Sequence, residues 1–159
     1  MSYALATRRH GRVLLRRGSM VMIVLLLCQF ALGMAANLYV TIPATHPGAH
    51  PGNYFSGSLR SVGWALAHGA TALAFHTGLG LALALLGVAI AAYAIAVRAG
   101  RIATIAGALL IIGAGFNGAS FLDFNHDVNS LIMALLFALA ALSYAGLLYR
   151  LPLVEARGL

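Results

Sequence analysis

The stretch Arg16-Arg17-Gly18-Ser19-Met20-Val-Met-Ile-Val-Leu-Leu-Leu-Cys28-Gln29-Phe-Ala-Leu-Gly33-Met-Ala-Ala-Asn37-Leu-Tyr-Val-Thr-Ile42-Pro43 decides the fold. From Met20 to Ile42 it carries no charged side chain. An α-helix rises about 1.5 Å per residue, so roughly 20 apolar residues cross a hydrocarbon core of about 30 Å. The arginine pair marks one membrane surface. Pro43, which lacks the N–H a helix interior needs, marks the other.

Three further runs repeat the pattern: about 64–97, stopping at Arg98; 102–122, following Arg101; and 128–149, stopping at Arg150. The second is long enough to tilt or to project beyond the bilayer. Composition agrees. Hydrophobic residues make up 62% of the 159 and charged residues 8%, against roughly 25% charged in a soluble domain. The expected fold is an all-α integral membrane domain spanning 1–159. It has four transmembrane helices (20–42, 64–97, 102–122 and 128–149), a basic segment 1–19 and one long outer loop, 43–61.

The ten basic residues are all arginine and face three acids, for a formal charge of +7. They sit in short segments beside the apolar runs, where they meet anionic lipid headgroups. No exposed aromatic platform accompanies them, which argues against nucleic acid as a partner. Arg8, Arg9, Arg12, Arg16, Arg17, Arg98, Arg101, Arg150 and Arg157 fall on one side, and only Arg60 with Asp123 and Asp127 on the other. The positive-inside rule then makes both termini and the 98–101 turn cytoplasmic. The expected location is a plasma membrane, as for a bacterial inner-membrane protein. Gly33 and Ala35 could end a cleaved signal peptide, but the run stays apolar well past them. Cys28 is the only cysteine, so intrachain disulfides are excluded.

The loop contains His46-Pro47-Gly48-Ala49-His50-Pro51-Gly52. Proline fixes φ and glycine accepts positive φ, so the Pro-Gly steps read as tight turns ahead of a His46–His50 metal pair. Asp123 and Asp127, next to the last connection, are expected to be screened by water. Gly33 to Asn37 and Gly113 to Asn117 share the pattern Gly-x-x-x-Asn, a faint echo of one helical hairpin in the next.

Helices in lipid associate through small residues and polar groups. At a 3.6-residue period each run presents such a face. The first offers Gln29, Gly33 and Asn37; the second Gly69, Ala72, His76, Gly80 and Gly87; the third Gly113, Asn117 and Ser120; the fourth His126, Asn129, Ser130 and Met133. Counted from the arginine markers, His76 stands roughly 33 Å above Arg98 and His126 roughly 36 Å above Arg150. Two inward histidines at one level suit the two axial positions of a haem iron, with Asn37 or Asn117 bonding the other ring nitrogen. Gly80 and Gly69 would leave room for the porphyrin, and Arg60 could pair with its propionates. His68, offset along and around the helix, would stay off that axis. Packing of the histidines, or another ligand such as a quinone or a metal ion, are the competing readings of the same face. Carboxylates at the helix centres, which mark ion pumps, are missing.

Leu26-Leu27-Cys28-Gln29-Phe30-Ala31-Leu32-Gly33 resembles the opening helix of the haem A synthase family, and Asn117 through His126 is similar to that family's last hairpin. The resemblance covers one four-helix half of such an enzyme. It implies that His76 and His126, on the second and fourth helices, each give a ligand to haem. The family's glutamate before the helix-two histidine is replaced here by Leu73-Ala74-Phe75, and its cysteine pair has no counterpart. The implied function is therefore a small membrane cytochrome carrying haem b, for electron transfer or haem handling. A cofactor-free subunit of a larger membrane complex, a homo-oligomer, or a binder of a quinone-like lipid are the alternatives.

Overall fold

The computed structural model describes residues 2–151, and side chains from residue 9 onward. Arg157 lies outside this range, as does the side chain of Arg8. Five helices follow one another: α1 Ser2–Tyr39, α2 Tyr54–His68, α3 Thr71–Ala96, α4 Arg101–Phe124 and α5 Asp127–Arg150. Four of them, all but α2, contain segments long and apolar enough to span a membrane.

Three boundaries differ from the sequence reading. From Ser2 onward the basic segment is not a separate arm but the first half of α1. The run 64–97 is two helices, and the loop 43–61 ends at residue 53. Asn53 starts α2 as an N-cap, its side chain accepting from Ser56 N at 3.1 Å. At the other end Gly69 and Ala70 are extended, with ψ of 158° and 148°. A Cβ on Gly69 would lie 2.4 Å from Ala65 O, so glycine permits the tight exit from α2. Hydropathy stays high through this break, which is why periodicity alone misses it.

The four long helices form a ring in which α1 packs on α3, α3 on α4, α4 on α5, and α5 back on α1. The diagonals, α1 with α4 and α3 with α5, do not touch among the described residues. Helix α2 packs on α3 and α4 only, at the end opposite the arginines. The two ends are called here the arginine end and the loop end.

Close approaches at glycine define the vertical register. Gly11 lies opposite Val97, Gly18 opposite Ile90, Gly80 opposite Gln29, and Gly33 opposite His76, so α1 and α3 run antiparallel without slippage. Gly107 faces Tyr144, Gly113 faces Leu136, and Gly118 faces Met133 along α4 and α5. The ring is closed by Arg16, whose Nη1 donates to Leu148 O at 2.7 Å and also to Leu151 O. Those are terminal carbonyls of α5, which have no intrahelical partner of their own.

The arginine end holds the main core, built from Leu15, Met22, Leu26, Leu83, Ile90, Tyr144 and Leu147 with their neighbours. A second, smaller cluster of Ala65, Leu73 and Leu122 lies under α2. The connections are short and specific. After α3, Ala99 N reaches Ala94 O and Arg98 N reaches Ile95 O, the paired bonds of a Schellman ending. Arg98 takes the left-handed conformation that glycine usually supplies there, with φ of 54°. Asn125, also left-handed, turns α4 into α5.

Candidate functional site

Two polar clusters occupy the loop-end half. The first lies inside the spanning region. Gln29, 7% exposed, projects from α1 toward α3. Its Nε2 donates to His76 O at 3.0 Å and approaches His76 Nε2 at 3.5 Å. Gly33 makes this possible, because a Cβ there would lie 2.8 Å from His76 Cε1. Gly80 gives the matching space to Gln29. The two glycines thus make room for His76 and Gln29.

Because the amide NH2 only donates, its approach to His76 Nε2 suits a lone pair there, and so the tautomer with the ring hydrogen on Nδ1. That Nδ1 is covered and has no partner, and neither has Gln29 Oε1. A donor and an acceptor are therefore both covered without hydrogen bonds. Leaving such groups buried and unsatisfied costs about 1–3 kcal/mol each.

The second cluster sits at the loop end. Asp123 is 1% exposed. Its two carboxylate oxygens accept from Ser58 Oγ at 2.8 Å and Ser61 Oγ at 2.6 Å. His50 N donates to Asp123 O at 2.9 Å, and His46 Nε2 donates to Leu122 O at 3.1 Å while its ring stacks on Trp64. The expectation that water screens Asp123 is overturned: α2 and the loop cover it. Asp127 is exposed as expected. A cavity of about 280 Å³ opens beside this cluster, lined in part by Ile42, His46, His50 and Asp123. The cluster pins the loop and α2 onto α4. His46 through its ring and His50 through its backbone N–H take part in that fastening; among the described residues no three His, Cys, Asp or Glu side chains gather as a metal-binding group.

The remaining site residues are dispersed. Asn117 bonds back to Gly113 O of its own helix at 3.0 Å. Asn37, Arg60 and His68 are exposed. His126 caps α5, exposed, with its ring 6.1 Å from that of Phe124. No hydrogen bond or ring contact joins His126 to His76 among the described residues. Counting up α1 and α5 from the Arg16–Leu148 contact sets Gly33, and so His76, level with Leu131. His126 then stands about 8 Å nearer the loop end. The arginine markers hide this offset, since Arg98 lies in the turn beyond α3 while Arg150 is still within α5.

Gln29 was noted in the sequence only as one member of an inward face. The signal that singles it out is its place one turn before Gly33, opposite a histidine six residues into the next long helix. Compared with known protein families, with curated proteins and with solved structures, the chain shows no match.

Proposed function

We propose that the protein is a four-span membrane protein that binds a lipid-soluble ligand carrying a hydrogen-bonding oxygen, a quinone or quinone-like lipid, at Gln29 and His76. The observation that carries this reading is the pair of covered, unpartnered atoms, His76 Nδ1 and Gln29 Oε1. A quinone carbonyl accepts from Nδ1–H; the hydroxyl of its reduced form donates to Oε1. One site thus serves both forms, each through a different atom. A decyl-substituted benzoquinone titrated into the detergent-purified protein should bind. His76→Ala and Gln29→Leu should each weaken it at least tenfold, and His126→Ala should leave it unchanged. Loss on His126→Ala alone would sink the reading.

Haem b, held by His76 and His126 with Arg60 near a propionate, is the second reading. The unpartnered ring nitrogen of His76 favours it, because iron requires a free nitrogen. In this arrangement the level offset of His126 and the Nδ1–H tautomer speak for the quinone. A Soret band in the purified protein, lost in both His76→Ala and His126→Ala, would install the haem reading instead.

The proposed orientation puts the arginine end in the cytoplasm of a cell whose plasma membrane holds the protein. A reporter fused in the 43–53 loop should be accessible from outside, and one after Arg157 from inside. The reverse labelling would refute that orientation.

A further inference from the structure

The inward stripe of α1 is buried at Gly11, Leu15, Ser19, Met22, Leu26 and Gln29, one residue every turn. Continued at the same period it reaches Gly33 and Ala36, which are half-buried, and Asn37, which is exposed. No residue from 30 to 39 is buried. Helix α5 shows the same change in reverse. Ala140, Tyr144 and Leu147 are buried, while Asn129, Met133 and Phe137 on the same stripe are half-buried and His126 is exposed. The opposite side of the ring does not share this loosening. There Leu73, Ala119 and Leu122 stay buried, and α2 lies over α3 and α4.

We infer that the loop-end halves of α1 and α5 form a lateral seam that opens the ring to the surrounding lipid, and that the ligand of Gln29 and His76 arrives through it from the leaflet at the loop end. The inference rests on the ligand reading above for its destination, but the seam stands on burial alone. Register brings the lower end of the unburied stretch on α1 to the level of Gln29, the nine-tenths-buried side chain with a free Oε1. His76 keeps part of its surface accessible while its Nδ1 is covered. A ring entering along this stretch of α1 thus meets two small, half-buried residues, Ala36 and then Gly33, the latter against the His76 ring, before it reaches the two unpartnered atoms. A ligand from water would face the loop, α2 and the Asp123 cluster instead.

The test uses single cysteines in a Cys28→Ser background, reconstituted in phospholipid vesicles. Ala36→Cys lies in the seam and Ser19→Cys in the closed half. A membrane-permeant maleimide should modify Ala36→Cys at least ten times faster than Ser19→Cys, and a charged, impermeant maleimide should leave Ala36→Cys nearly unmodified. Equal rates with the permeant reagent would mean a closed ring, and rapid reaction with the charged one would mean a water-filled vestibule; either overturns the seam. Added decyl benzoquinone should slow the permeant labelling of Ala36→Cys. Labelling that stays fast and selective yet is indifferent to the quinone would uphold the seam and refute the quinone as its occupant.

Discussion

The two halves of this bundle are made of similarly apolar helices and pack in opposite ways. At the arginine end, hollows meet large apolar side chains: Gly107 receives Tyr144, and Gly100 receives Leu147 and Leu15. At the loop end, hollows meet polar groups: Gly33 receives His76, and Gly80 receives Gln29. In lipid, helix association relies on dispersion between close surfaces and on interhelical hydrogen bonds, since burying apolar surface gains little over the lipid itself. The first half uses dispersion and closes. The second adds an amide–imidazole pair and the Asp123 cluster to its contacts, and the stretch 30–39 of α1 has no buried residue. With the ligand proposed above, stability and ligand access are separated along one membrane normal.

The sharpest way to break this comparison is to delete matched side chains. Tyr144→Ala removes a fully buried ring and should cost about 3–5 kcal/mol. Met133→Ala on the same stripe of α5, half-buried, should cost on the order of 1 kcal/mol. Unfolding in mixed micelles with rising dodecyl sulfate measures both. Similar costs would mean that the halves are packed alike.

Next in size is the fastening at the loop end. Asp123→Ala leaves Ser58 and Ser61 without their acceptor and should cost about 2–4 kcal/mol, at the upper range because the lost acceptor is a buried carboxylate. Cleavage within 43–53 by an added protease should accelerate in step. An unchanged cleavage rate would show that the loop is held by His46 and Trp64 without help from Asp123.

Gly33→Ala sharpens the comparison at its centre. The new methyl would press on the His76 ring, at a cost of about 1–2 kcal/mol. Benzoquinone binding should fall at least tenfold. Gly63→Ala is the control, because nothing lies within 4 Å of a Cβ there, and alanine in a helix should gain up to about 1 kcal/mol over glycine. Parallel losses at both positions would point to a general intolerance of the helices, not to a crowded imidazole.

The smallest effect expected is a gain. Arg98→Gly relieves a left-handed arginine and should stabilise the α3–α4 turn by about 1 kcal/mol. No gain in the same unfolding assay would mean that the arginine's charge at this surface offsets its backbone strain.

Much of the fold was legible because four long uncharged runs admit few alternatives in a bilayer. The split at Gly69 was not, since hydropathy is blind to a two-residue extended break inside an apolar run. Asn53 ahead of Ser56 was the readable clue to α2, a side-chain cap following Pro51-Gly52. The site was half legible. His76 was singled out from its inward face, and the side chain that bonds its backbone, Gln29, lay in the very stretch that decides the fold. Height was read less closely: arginines mark a membrane surface only to within a turn or so, and register sets His126 nearer the loop end than His76. Asp123 was misplaced for a different reason. Its burial depends on a segment returning over the bundle end, and no local pattern around Asp123 announces that return.

The guanidinium of Arg16 has a consequence for how the chain is made. It joins α1 to the end of α5, so the ring cannot close until the last helix has been synthesised. Until then the inward stripe of α1, Ser19 and Gln29 included, has only α3 beside it, and the terminal carbonyls of α5 do not yet exist. Helices that insert in order can pair α1 with α3 and α3 with α4 early, since those partners are near in sequence. The final step is a latch from residue 16 to residues 148 and 151, spanning nearly the whole chain. A ribosome stalled before α5 would leave a three-helix sheet open to lipid along its full height, at both ends alike.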